Sequence, residues 1–123
     1  MNYSEMSGYE INNRLHNAIA CDGKYDLKVE GYKVTWTEKS TGRVIETLRK
    51  QYDKEFKDYL SSWADAGPII QEHGITLAFF DDEWTADFDA YFVDGVEWNI
   101  GGVADKNPLR AAMVVFLMMQ EAK

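Results

Sequence analysis

From residue 84 to residue 92 apolar and polar positions alternate without a break, with Trp84, Ala86, Phe88, Ala90 and Phe92 on one side and Thr85, Asp87, Asp89 and Tyr91 on the other. A period of two predicts a half-buried strand, because successive side chains leave a pleated backbone on opposite faces. Ile75 to Phe80 reads as the strand before it. The next turn sets the register. A two-residue Asp94-Gly95 loop would place Phe92 beside Glu97. A three-residue Val93-Asp94-Gly95 loop, with Gly95 in the left-handed bulge position, instead pairs Phe92 with Val96, Ala90 with Trp98 and Phe88 with Ile100, all apolar. The second register is expected. It pairs Tyr91 with Glu97 and Asp89 with Asn99 on the wet face, and Gly101 and Gly102 are expected to break the strand.

Elsewhere the period lengthens to that of a helix. Ile11, Leu15, Ala18 and Ile19 form one apolar stripe, preceded by a Ser7 and Glu10 capping box and a Met6 staple, so a helix is expected from about Gly8 to Gly23. Ser61 or Ser62 caps a second helix that runs to about His73 and stops at Gly74, with Pro68 predicting a kink or a late start. Asn107-Pro108 is an N-cap followed by proline at the first helical position. The helix it opens, to about Ala122, is apolar nearly all round, which suits either a central core helix or a subunit interface.

Leu27, Val29, Tyr32, Val34 and Trp36 alternate with polar residues except at Gly31, which predicts a strand, a kink or bulge, and a second strand. Glu38 to Gly42 is turn chemistry, and Arg43 to Leu48 can return as a third strand. Ile45, Leu48, Tyr52, Phe56 and Tyr59 also fall at helical spacing, so residues 44–60 fit either a strand and helix or one long helix. The element order implies an α+β fold, with an antiparallel sheet built from the 75–100 meander and the N-terminal strands, packed against the N- and C-terminal helices. No repeat or linker-like stretch interrupts residues 1–123, which are expected to form a single domain.

Composition narrows the class. With 46% apolar residues the chain can bury a core, and Cys21 is the only cysteine, so an intramolecular disulfide is excluded and a reducing compartment is expected. No signal-peptide pattern opens the chain, and the longest apolar run, Ala111 to Met119, is far short of the roughly twenty residues a bilayer span requires. The charge is uneven. Residues 1–60 hold ten acids and ten bases, so residues 61–123, with eleven acids and three bases, carry the whole formal charge of −8. Between Lys57 and Lys106 eleven acids meet no Lys or Arg. Such a field repels nucleic acid and attracts basic protein surfaces.

The opening Met-Asn-Tyr-Ser-Glu-Met-Ser, the central Asp65-Ala-Gly-Pro-Ile-Ile70 and the closing stretch from Asn107 to Glu121 resemble the NinX-like family of phage and prophage accessory proteins. Residues 22–60 match more loosely, as a variable insert would. The resemblance implies a phage or prophage origin and expression in the cytoplasm of a bacterial host. It carries over no catalytic residue.

Chemistry must therefore be sought residue by residue. Asp81, Asp82, Glu83, Asp87, Asp89, Tyr91 and Glu97 form the candidate face for a host or phage protein with a basic surface, and the same charges confer solubility. Asp87 to Glu97 does not match a calcium loop, since Tyr91 and Phe92 stand where a ligand and the glycine belong. Glu72-His73 lacks the second histidine of a zinc helix, His16 stands alone, and Cys21 has no base fixed beside it in sequence. No phosphate loop, dinucleotide fingerprint or nucleophile elbow is present, so neither catalysis nor a cofactor is expected. Arg110 lies in the first turn of the last helix, where a cation opposes the helix dipole and needs an anion. That anion is expected to be Asp65, with Asp105 as the nearer alternative. A small-ligand or anion-binding site, or a catalytic one, near Asn107 and Arg110 is the competing reading.

Overall fold

A computed structural model describes the backbone at residues 2–48, 57–93 and 96–121, and the side chains at residues 2–48, 57–88 and 102–121. The fold is α+β, with two three-stranded antiparallel sheets and a terminal helix against each. The chain divides into two compact units, residues 1–57 and 58–123.

In residues 1–57, helix α1 (Gly8–Ala20) starts where the capping pair predicts, with Ser7 Oγ accepting the Glu10 N–H at 3.1 Å. The Glu10 carboxylate meets Arg14 one turn on, at 2.8 Å. Gly23, at φ +69°, closes the helix end by donating its N–H to the Asn17 carbonyl at 2.8 Å. Strands β1 (Tyr25–Glu30), β2 (Lys33–Glu38) and β3 (Val44–Thr47) follow in that spatial order. Gly31 starts a hairpin turn and does not kink a strand: Glu30 pairs with Lys33 across Gly31 and Tyr32, with Gly31 at φ +61°. The apolar Tyr32 inside the turn makes the alternation seem to run on.

Register places Leu27, Trp36 and Ile45 side by side across the three strands. Central strand β2 carries the most deeply buried of its sheet, Val34 and Trp36, while Ile11 and Leu15 of α1 are fully buried. Asn17 pins α1 to β1 from both ends of its amide: Nδ2 donates to the Tyr25 carbonyl at 2.9 Å, and Oδ1 accepts the Tyr25 N–H at 3.2 Å. The expected return strand is thus β3. The rest of the 44–60 question falls largely on residues 49–56, outside the described residues.

In residues 58–123, helix α2 (Trp63–His73) is capped by Ser62, runs through Pro68 and ends at Gly74 in the left-handed region. Strands β4 (Thr76–Phe80), β5 (Glu83–Val93) and β6 (Val96–Asp105) form the meander, and helix α3 (Pro108–Glu121) packs against all three and against α2. Leu109, every residue from Ala111 to Leu117, and Met119 are buried, so α3 is a core helix.

The register of the last hairpin corrects the sequence reading. Val93 pairs with Val96, Phe92 with Glu97 and Tyr91 with Trp98, leaving two residues, Asp94 and Gly95, between the strands; both lie outside the described residues. The expected Phe92–Val96, Ala90–Trp98 and Tyr91–Glu97 pairs do not form. Phe88 still meets Ile100 because two irregularities compensate. From the Ala86–Val103 pair to the Phe88–Ile100 pair β6 carries one extra residue, and from there to the Tyr91–Trp98 pair β5 does. The first falls on Gly101-Gly102, so these glycines bulge the strand and do not break it.

Candidate functional site

The β4–β5 turn exposes more than charge. Phe80 pairs with Glu83 across Asp81 and Asp82, whose φ values of 52° and 62° are both left-handed. Two such residues make the mirror-image turn that matches strand twist, and aspartate tolerates this backbone region better than most side chains. Phe79 and Phe80 precede the turn, on opposite faces of the strand, and are 60% and 72% exposed. The Phe79 ring leans on Trp84 across the hairpin, with centroids 5.3 Å apart, which gives this exposed ring a fixed seat. Sequence reasoning passed over both phenylalanines. Their adjacency was the signal, since a strand of period two cannot bury two consecutive side chains on one face.

Asp81, Asp82 and Glu83 are exposed, and Asp87 is half-buried farther along β5. None of the four forms an ion pair among the described residues. Ala86 is fully buried on the side of β5 that α3 covers, so Glu83, Thr85 and Asp87 share the opposite face. Their cross-strand neighbours there are small or exposed: Thr76, Ala78 and Phe80 on β4, and Ala104 on β6. Asp87 and Thr85 lie close over Gly102, where an added Cβ would come 2.8 Å from Thr85 Cγ2 and 3.2 Å from Asp87 Oδ1. The side chains of Asp89, Tyr91 and Glu97 lie outside the described residues.

The start of α3 is held internally. Asn107 Oδ1 accepts the N–H groups of Leu109 and Arg110 at 2.9 and 3.4 Å, while its Nδ2 donates to the Leu60 carbonyl at 2.7 Å. The carboxylate facing Arg110 is Asp105, at 3.3 Å from Nε, and not the expected Asp65. Asp65 Oδ2 accepts the Asp58 N–H at 3.2 Å. The two helix starts are therefore joined, but through Asn107 and a backbone carbonyl. Asp105 prevails because its Oδ1 already accepts the Asn107 N–H at 2.8 Å, which sets the carboxylate beside the first turn of α3.

In residues 1–57, His16 and Cys21 come together in an open pocket of about 150 Å³ with Tyr25, Trp36, Ile45 and Thr47. Burial pulls the His16 pKa down from 6.5. Burial, and to a lesser degree the Asp22 charge, push the Cys21 thiol up, which is the reverse of what activates a nucleophile. His73 packs its ring on Phe116, with centroids 5.0 Å apart.

Among the described residues no helix is long and apolar enough to cross a membrane. Comparison with curated proteins and with solved structures gives no significant match. One family model, that of bacteriophage P22 NinX, matches residues 2–120, and with nearly the whole chain covered the protein belongs to that family.

Proposed function

We propose that this phage protein acts without catalysing a reaction, by docking a host or phage protein onto the β4–β5 end of residues 58–123. The observation that carries the reading is the joint exposure of Phe79 and Phe80 beside Asp81, Asp82 and Glu83, acids without ion pairs among the described residues. Large exposed aromatic side chains supply anchor area, and acids around them select a partner with lysine or arginine next to an apolar hollow. The surplus of acid in this half of the chain adds long-range attraction and disfavours direct nucleic-acid binding. The bacterial host cytoplasm is the setting in which such a partner is met.

The test is comparative capture from host lysate by wild type, by Phe80→Ser and by Asp81→Lys plus Asp82→Lys. A protein that is retained at low salt by wild type, and is lost from both variants and in raised salt, meets the expectation. Equal recovery by all three proteins would leave the acids with solubility alone.

A further inference from the structure

We propose that the pocket in residues 1–57 is a binding site for an uncharged single-ring aromatic compound, received against the joined rings of His16, Tyr25 and Trp36. Helix α1 and the three strands of its unit each contribute a wall: α1 gives His16 and its C-cap residue Cys21, β1 gives Tyr25, β2 gives Trp36, and β3 gives Ile45 and Thr47. The walls are held in place. His16 and Tyr25 each stand edge-on to the Trp36 indole, at 5.9 Å and at 89° and 88°. The indole N–H is fixed by donation to Thr47 Oγ1 at 2.9 Å, and the Tyr25 backbone is clamped by Asn17.

Size and chemistry select the occupant. A volume of about 150 Å³ is the order of cavity that admits one benzene-sized ring. An entering ring can adopt the offset or edge-to-face contacts that aromatic quadrupoles prefer, on more than one wall at once. Among the described residues no Asp, Glu, Lys or Arg lines the pocket. Burial favours neutral imidazole at His16 and neutral thiol at Cys21, and the Asp22 and Lys24 charges act on Cys21 in opposite senses, so a charged ligand would lose hydration for little net counter-charge. The Thr47 hydroxyl, which accepts from the indole, keeps a proton to donate to a polar substituent on the ring. This site is independent of the docking face on the other unit.

Phenol is the probe, with benzoate and benzylammonium as charged rings of similar size, titrated into the full chain while backbone amide resonances are followed. The expected result is a saturable shift at the amides of residues 16, 21, 25, 36 and 47 with phenol, and at least about tenfold weaker response to either charged ring. Ile45→Trp, at a position 39% exposed beside Trp36, fills the pocket from its rim and should abolish the phenol response with the amide spectrum otherwise retained. Cys21→Leu fills it from the end of α1 and should do the same if the first variant does not fold. Absence of a saturable phenol shift, an equal response to the charged rings, or an undiminished response in a folded filled variant would overturn the proposal.

Discussion

Removing the Asn107 side chain should destabilise residues 58–123 in two separable amounts. Its Oδ1 caps α3 through Leu109 and Arg110, and its Nδ2 holds the Leu60 carbonyl at 2.7 Å. Loss of an N-cap acceptor costs about 1 kcal/mol. Leaving a part-buried carbonyl without its donor costs about 1 kcal/mol more. Asn107→Ala is thus expected to lower stability by about 2 kcal/mol, roughly a thirtyfold shift in the folding equilibrium. Asn107→Ser keeps an oxygen at the cap but cannot reach across to Leu60, so it should lose only about half as much. Urea unfolding followed by circular dichroism reads both values. If serine is as costly as alanine, the cap contributes nothing. If serine equals asparagine, the link to Leu60 contributes nothing, and the account of how the two helix starts are joined fails.

Gly102→Ala should destabilise because its Cβ meets Thr85 Cγ2 at 2.8 Å, and adding Thr85→Ser, which deletes that methyl, should recover most of the loss in a thermal melt. Arg110→Ala and Asp105→Ala should couple by roughly 0.5 kcal/mol in a double-mutant cycle, as a pair 19% and 31% exposed allows, whereas Arg110→Ala and Asp65→Ala should be additive. His16 is lowered by burial, so its unfolded form binds the proton more readily, and the folded state loses stability as pH falls from 6.5 toward the depressed folded value. His16→Phe should flatten that part of the pH–stability curve, and an unchanged slope would place the titrating group elsewhere. Cys21 should react with iodoacetamide more slowly than a free thiol at mildly alkaline pH, since burial and Asp22 both disfavour its thiolate.

Helix ends were legible because their chemistry is local. Ser7, Ser62, Gly74 and Asn107 each act within a few residues of their own position, and each caps or stops a helix as its type predicts. The hairpin at Gly31 was misread because Tyr32 continues the apolar rhythm through a turn. The β5–β6 register could not be settled by matching apolar pairs, because Gly101 and Gly102 admit one extra residue that β5 later balances, and only the paired backbone shows both. Arg110 illustrates the limit for side-chain partners. Its need for an anion follows from the helix dipole, but the choice between Asp65 and Asp105 depends on where the chain has already been turned by the Asn107 N–H. Of the candidate face, the acids were visible as composition, while the adjacent Phe79 and Phe80 signalled only that one of them must leave the core, and their exposures of 60% and 72% show that both do.

The docking claim is tested most directly by placing the photo-crosslinker p-benzoylphenylalanine at position 80 and, as a control, at position 28, whose lysine side chain is 76% exposed on β1 of the other unit. After irradiation in host lysate, position 80 should yield a discrete protein adduct that fades as salt is raised and is lost with Asp81→Lys plus Asp82→Lys. An adduct pattern at position 80 that matches position 28, or that ignores salt and charge reversal, would contradict the proposed role of the β4–β5 end.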